Sequence, residues 1–217
     1  MAKGPAMSRE EAVKAIEVGI GMVADLKEKG YNVLATGEMG IGNTTTSSAV
    51  CSVLIDQSVE KVTGKGAGLT NKDLEHKIEV IRQSIALNKV NADDPLDVLA
   101  KVGGLDIAGM AGCYIGGAAL NIPVFIDGFI SSVAALIAIR LVPECAPYLF
   151  PSHCSNEPAG RMILDAIGKQ PYIFANMCLG EGTGAVMGFT IADYAFKAYW
   201  ELPSFEQTNF GTYEELN

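Results

Sequence analysis

A chain of 217 residues with 49% hydrophobic residues, 7% aromatics and 24 glycines has the size and composition of one large α/β unit, which excludes a disordered or fibrous chain. Sixteen Lys and Arg against 25 Asp and Glu leave a formal net charge of −9. No basic stripe runs along any segment, so the driving term for binding a nucleic-acid backbone is missing, and an anionic substrate has to be held locally by backbone amides and one or two placed cations.

Ser8 and Glu11 form a capping-box pair, Val13, Ile16, Ile20 and Val23 recur on one face, and Gly30 follows; together they predict an amphipathic helix. Residues 31–36 are a short strand-like run ending in the loop GEMGIGNTT at 37–45, and helical character resumes over 46–55. Leu74, Ile78, Ile81 and Ile85 mark a helix over 72–90, and Pro95 after Asp94 opens a short one. Residues 103–120 read as a Gly/Ala-rich helix that permits close approach, and 122–126 as a buried strand ending at Asp127-Gly128. The longest apolar run, 129–142, is only 14 residues and carries Ser131, Ser132 and Arg140. It is too short and polar to cross a bilayer, and reads as a buried helix. Helices over 157–169 and 184–200 flank a strand at 172–178, and a polar tail follows. This alternation predicts a three-layer, Rossmann-like α/β fold: one parallel sheet covered by helices on both faces, with its ligand site at the carboxyl ends of the strands. The glycine loops fall at those ends.

Three loops can carry chemistry. Glycines at 37, 40 and 42 allow close backbone approach or positive φ, and a helix starting near Asn43 presents free amides and its positive dipole end to a phosphate. No Lys follows the last glycine, so this is neither a Walker A loop nor a GxGxxG motif, and an ordinary glycine-rich turn fits the same pattern. GKGAG at 64–68 precedes a helix with Lys77, a cation able to complete a phosphate site, although by pattern alone Lys77 reads first as part of a solvated face. LGEGTG at 179–184 sets Glu181 between glycines ahead of an apolar helix. Presented at a pocket mouth and partly buried, such a carboxylate rises toward the general-base range; a dipole-stabilised acid fits the same place.

SHCSNEP at 152–158 puts a His beside a Cys, but neighbours on one loop rarely form a catalytic pair, and no G-x-S-x-G elbow occurs. His76 and His153 are the only histidines and lie outside any HExxH motif, so we expect no metal and no cofactor. The odd set Cys51, Cys113, Cys145, Cys154 and Cys178 lacks CxxC spacing, and no secretory pattern opens the chain. Reduced thiols in a cytoplasm are the expectation.

GEMGIGNTTTSSAV at 37–50, GGLDIAGMAG at 103–112, IPVFIDGFISSVAAL at 122–136, SHCSNEPAG at 152–160 and LGEGTGA at 179–185 together resemble the nicotinate-nucleotide–dimethylbenzimidazole phosphoribosyltransferases. The likeness runs from about Lys3 to the SFEQ segment at 204–207. It implies that Gly40, Gly42, Asn43 and Thr44 cradle the 5′-phosphate of nicotinate mononucleotide, with Lys77 as the cation. It further implies Glu181, between Gly180 and Gly182, as general base, Glu38 as a second carboxylate, and Ser155 beside the ribose and nicotinate. The implied reaction moves ribose 5-phosphate to 5,6-dimethylbenzimidazole or a related base, giving α-ribazole phosphate and nicotinate for the cobalamin lower ligand. Family members are homodimers with a further N-terminal segment that supplies part of the sheet, part of a small helical domain and much of the aromatic-base pocket. This chain starts at the family-like KGPAM. The resemblance therefore leaves open a short form, a fragment that binds nucleotide without independent turnover, or a subunit whose missing segment a partner chain supplies.

Overall fold

The computed structural model describes residues 1–208; the polar tail expected from the sequence falls partly outside them. Helix α1 (Arg9–Glu28) begins where the capping box places it. Ser8 Oγ accepts the Glu11 N–H at 3.1 Å, and the Glu11 carboxylate accepts the Ser8 N–H at 2.8 Å. Gly30, at φ 88°, turns the chain away from the helix end. The buried stripe of α1 runs through Ala12, Ile16, Gly19 and Val23. Val13, which the spacing placed on the apolar face, is 38% exposed.

Helix α6 (Leu105–Ala119) meets α1 backbone to backbone. A Cβ on Gly19 would overlap the Gly109 carbonyl oxygen, and one on Gly112 would overlap that of Ile16. Glycines therefore set how closely the two helices approach. An interior helical glycine costs about 1 kcal/mol against alanine, and the close approach it permits offsets that.

Strands β1 (Leu34–Ala35), β2 (Val124–Ile126) and β3 (Leu149–Pro151) form a parallel sheet in the order β1-β2-β3. A second parallel pair joins β4 (His153–Ser155) to β5 (Ile173–Met177). One residue, Ser152, separates β3 from β4. Its N–H donates to the Ile126 carbonyl at 3.0 Å, and its own carbonyl accepts from Tyr172 and Ile173 at 3.2 and 3.0 Å. The chain thus changes partner there, and the single sheet expected from the sequence is divided. The sequence reading placed no strand at 149–155, where Pro151 and a polar run interrupt the alternation that marks one.

Helices α2 (Thr44–Leu54), α3 (Val59–Val62), α4 (Asn71–Asn88), α5 (Pro95–Val102), α7 (Phe129–Leu141), α8 (Gly160–Ala166) and α9 (Thr183–Glu201) complete the parallel-sheet α/β fold. Every residue of α7 from Phe129 to Ala138 is buried, so the apolar run forms a core helix as expected. No helix among the described residues is long and apolar enough to cross a membrane. Only Gly184, Ala185 and Gly188 at the head of α9 are buried. Farther along, Ile191, Tyr194, Phe196, Tyr199 and Trp200 are exposed.

The α1–α6 contact predicts that Gly112→Ala lowers stability by about 3 kcal/mol, because a buried backbone contact cannot give way to a methyl group. Gly21→Ala, on the open side of α1 with nothing within 4 Å of the new Cβ, should instead raise stability by about 0.5–1 kcal/mol. Urea unfolding midpoints of the two variants check both signs.

Candidate active site

Two glycine loops meet at the carboxyl ends of the strands. The first leaves β1 and runs through Glu38 to the head of α2, with Gly40 and Gly42 both at φ 83°. The second leads into α9 with Gly180, Glu181 and Gly182 at φ 76°, 58° and 83°. Their backbones touch: the Glu181 N–H donates to the Glu38 carbonyl at 2.9 Å. A Cβ on Gly180 would stand 3.0 Å from that same oxygen, and one on Gly37 2.7 Å from the Gly182 Cα. Glycine is required at both positions, which is why the carboxylates of Glu38 and Glu181 arise from neighbouring strands of backbone.

Asp127, at the end of β2 and 2% exposed, fixes the second loop. Its Oδ2 accepts the Gly182 N–H at 3.0 Å, and Oδ1 accepts those of Gly184 and Ala185 at 2.8 and 3.2 Å. A carboxylate at the head of a 19-residue helix also meets the positive end of its dipole. His153 packs beside it, with Nδ1 4.0 Å from Asp127 Oδ1 and 3.0 Å from Ser152 Oγ. The Ser152 hydroxyl also lies 2.8 Å from the Ile126 carbonyl, which accepts from it. Burial pushes the imidazole below its ordinary value, opposed by the Asp127 charge. Side chain is excluded from Gly184, where a Cβ would overlap the His153 ring. In the sequence Asp127 is legible only as a strand end, and His153 carries no catalytic or metal motif. An Asp-Gly pair closing a fully apolar strand was the available signal.

Lys77 is not the solvated residue that its pattern suggested. It is 7% exposed, and its Nζ donates to Thr44 Oγ1 at 2.8 Å and to the Gly64 carbonyl at 3.0 Å. The second glycine cluster and α4 thus bring the cation behind the first turn of α2, where the amides of Thr44, Thr45 and Thr46 lack intrahelical acceptors. Asn43, the residue before that turn, does not cap it: its Nδ2 donates to Asp106 Oδ2 at 2.8 Å, and its Oδ1 is buried without a partner.

A cavity of about 320 Å³ opens between these elements. Glu38, Gly40 and Thr44 form one wall, Gly180 and Glu181 another, and Ser155 and Glu157 a third. Asp127, Gly128 and His153 line its inner end. A second, more open hollow of about 570 Å³ is lined by Gly37, Gly182 and Val186 among others. Glu38, Met39 and Glu181 line both. Of the residues singled out in the sequence, Glu38, Gly40, Thr44, Ser155, Gly180 and Glu181 therefore share the main cavity, and Gly182 lies on the second. Gly42, Asn43 and Lys77 stand behind the wall, not on it. Glu181 is exposed, so the partial burial expected of it is not what the fold provides. Among the described residues no group of three His, Cys, Asp or Glu side chains is placed to hold a metal ion.

A family model described as phosphoribosyltransferase matches residues 1–210. The chain belongs to that family. The nicotinate-nucleotide–dimethylbenzimidazole phosphoribosyltransferase of Ruminiclostridium cellulolyticum is 55% identical over 214 residues, which cover 99% of this chain and 61% of the relative. The protein of the same name from Acetivibrio thermocellus is 51% identical with the same coverage. The crystal structure of CobT from Thermus thermophilus matches with a TM-score of 0.90 at 34% identity, over 97% of this chain and 62% of that one. The chain thus spans about 60% of the length of these relatives.

Asp127→Asn keeps the shape but replaces one acceptor oxygen with a donor facing backbone N–H groups. We expect a loss of about 2–3 kcal/mol in stability, the cost of leaving buried donors unpaired. Hydrogen exchange should show the Gly182, Gly184 and Ala185 amides opening while α1 is unchanged. Equal protection in variant and parent would mean that Asp127 does not hold the loop.

Proposed function

We propose that this chain carries the catalytic centre for moving ribose 5-phosphate from nicotinate mononucleotide to 5,6-dimethylbenzimidazole or a related base, giving α-ribazole phosphate and nicotinate. The reaction supplies the lower ligand of cobalamin. The observation that carries this reading is the position of Glu38 and Glu181 on the shared wall of two hollows. A base placed there reaches a donor in one and an acceptor in the other.

The donor's 5′-phosphate sits at the head of α2 against Gly40 and Thr44. The first-turn amides, the helix dipole and the Lys77 ammonium behind Thr44 offset its charge. Gly42 and Asn43 shape the loop from behind, and Ser155 lies on the wall facing the ribose. Glu181 takes the N–H proton of the benzimidazole, and the lone pair of the azole nitrogen forms the new bond to C1′. The C1′–N bond to nicotinate breaks on the opposite face, its electron pair leaving with the pyridine nitrogen, so the anomeric centre inverts. The pyridinium is already a cationic leaving group; positioning and one base supply the catalysis. Glu38, beside Glu181, adds negative charge next to the oxocarbenium character that develops at C1′.

A second part of the reading concerns assembly. The aromatic and aliphatic side chains exposed on α9 form an apolar face of the kind that marks an interface, and we propose that it is covered in a homodimer or by a partner chain. Five free cysteines fit a reducing cytoplasm.

Glu181→Gln should lower turnover by several orders of magnitude while sparing nucleotide binding. Lys77→Ala should weaken nucleotide binding by about 1–3 kcal/mol, the worth of a charge-assisted hydrogen bond. Calorimetry with nicotinate mononucleotide and an assay for α-ribotide separate the two roles; loss of binding in both variants with no separate loss of turnover would overturn the division. Light scattering of the purified chain should give twice the mass of one copy, and a single-copy mass would remove the homodimer.

A further inference from the structure

Glu157 lines the main cavity and has no part in the transfer chemistry above. Its carboxylate packs on Gly64 so closely that any Cβ there would overlap Oε2. The carbonyl of the same Gly64 accepts a hydrogen bond from Lys77 Nζ, so the cation and the carboxylate converge on one glycine. Thr44 takes a second ammonium proton. One N–H is left, and two anions compete for the cation behind it: Glu157, already in place, and a phosphate on the first turn of α2.

The other titratable groups around this end are few. Glu38, Asp127, His153, Cys178 and Glu181 line the cavity, Lys65 lies on the glycine loop next to Gly64, and Arg161 on α8 is paired with Asp165. Lys77 is the one whose charge bears on Glu157, and Glu157 the one that bears on Lys77. Burial holds the Glu157 carboxyl above the ordinary carboxylate range, with Lys77 opposing. The same burial lowers Lys77, with Glu157 opposing.

We propose that Glu157 determines which charge state the phosphate end of the cavity accepts, balancing Lys77 before ligand arrives and taking up a proton when a phosphate dianion docks beside that cation. The inference rests on the reading that this end of the cavity takes the donor's phosphate. Its physical basis is that two half-buried anions around one cation do not both stay ionised: the first-turn amides and Lys77 hold the docked anion in its dianionic form, and Glu157, already raised by burial, takes the proton. Docking a dianion then carries a proton with it. Over the range where Glu157 is ionised in the free protein and protonated in the complex, affinity falls by up to about tenfold per pH unit as pH rises.

Sulfate is the probe, because it stays a dianion from about pH 5 to 9, so any pH dependence belongs to the protein. Calorimetric titration in two buffers of different ionisation heat reads proton uptake by the parent chain directly and needs no variant. We expect uptake of a substantial fraction of one proton, and an affinity that falls as pH rises above the ordinary carboxylate range, by up to about tenfold per pH unit. Glu157→Gln should take up no proton, vary less than about twofold over the same rise in pH, and bind sulfate more tightly than the parent at its upper end. Equal proton uptake and equal slopes in parent and variant, with sulfate still bound, would overturn the inference and leave the phosphate site standing. Absence of heat with both sulfate and nicotinate mononucleotide would overturn the two together.

Discussion

The Asp127 carboxylate is buried at the end of β2 and accepts three backbone N–H bonds from the turn into α9. Burying a carboxylate costs several kcal/mol unless hydrogen bonds and opposite charge replace its water. Three charge-assisted bonds and the helix dipole do so here, and the geometry they need leaves the turn little freedom. Gly182, Gly184 and Ala185 must point their amides inward, so Glu181 is forced outward between Gly180 and Gly182. The first glycine loop then settles against that turn, Gly37 on Gly182 and Gly180 on Glu38. One buried acid in the sheet thereby places both carboxylates on the cavity wall.

Glu181 is held at φ 58°, a region that disfavours a side chain by about 1–2 kcal/mol. Glycines on either side show that the turn accepts glycine readily, and glycine at 181 would relieve the strain. A carboxylate persists there against its own backbone preference. Strained non-glycine residues concentrate where the side chain is needed, and here the strain coincides with a wall shared by two hollows.

What was legible in the sequence is what depends on neighbours along the chain. The capping box at Ser8 and Glu11, the helix over the apolar run at Phe129–Leu141 and the glycine loops around Glu38 and Glu181 are all local patterns, and the fold contains each. What was not legible depends on partners far away in the chain. The buried stripe of α1 runs through Ala12, Ile16, Gly19 and Val23, leaving Val13 out, and the close approach at Gly19 depends on Gly109 and Gly112 about 90 positions away in α6. Ser152 divides the sheet by hydrogen-bonding residues 26 positions before it and about 20 after it. Lys77 read as solvated because nothing in α4 itself announces that Thr44 and the Gly64 carbonyl will close over its ammonium.

The burial of Lys77 also shows how an acidic chain can place one cation where a proposed anion site lies. A surface lysine in a protein of net charge −9 would be one weak site in a repelling field, screened by salt over about 8–10 Å. Held behind Thr44, the cation acts through less solvent at the point where the first-turn amides of α2 also converge. Local placement thus outweighs net charge, because the field a ligand meets at a few ångströms is set by the nearest groups. The same reasoning makes the nearest acid matter most. Glu157, which packs on Gly64, is the acid whose charge bears on Lys77.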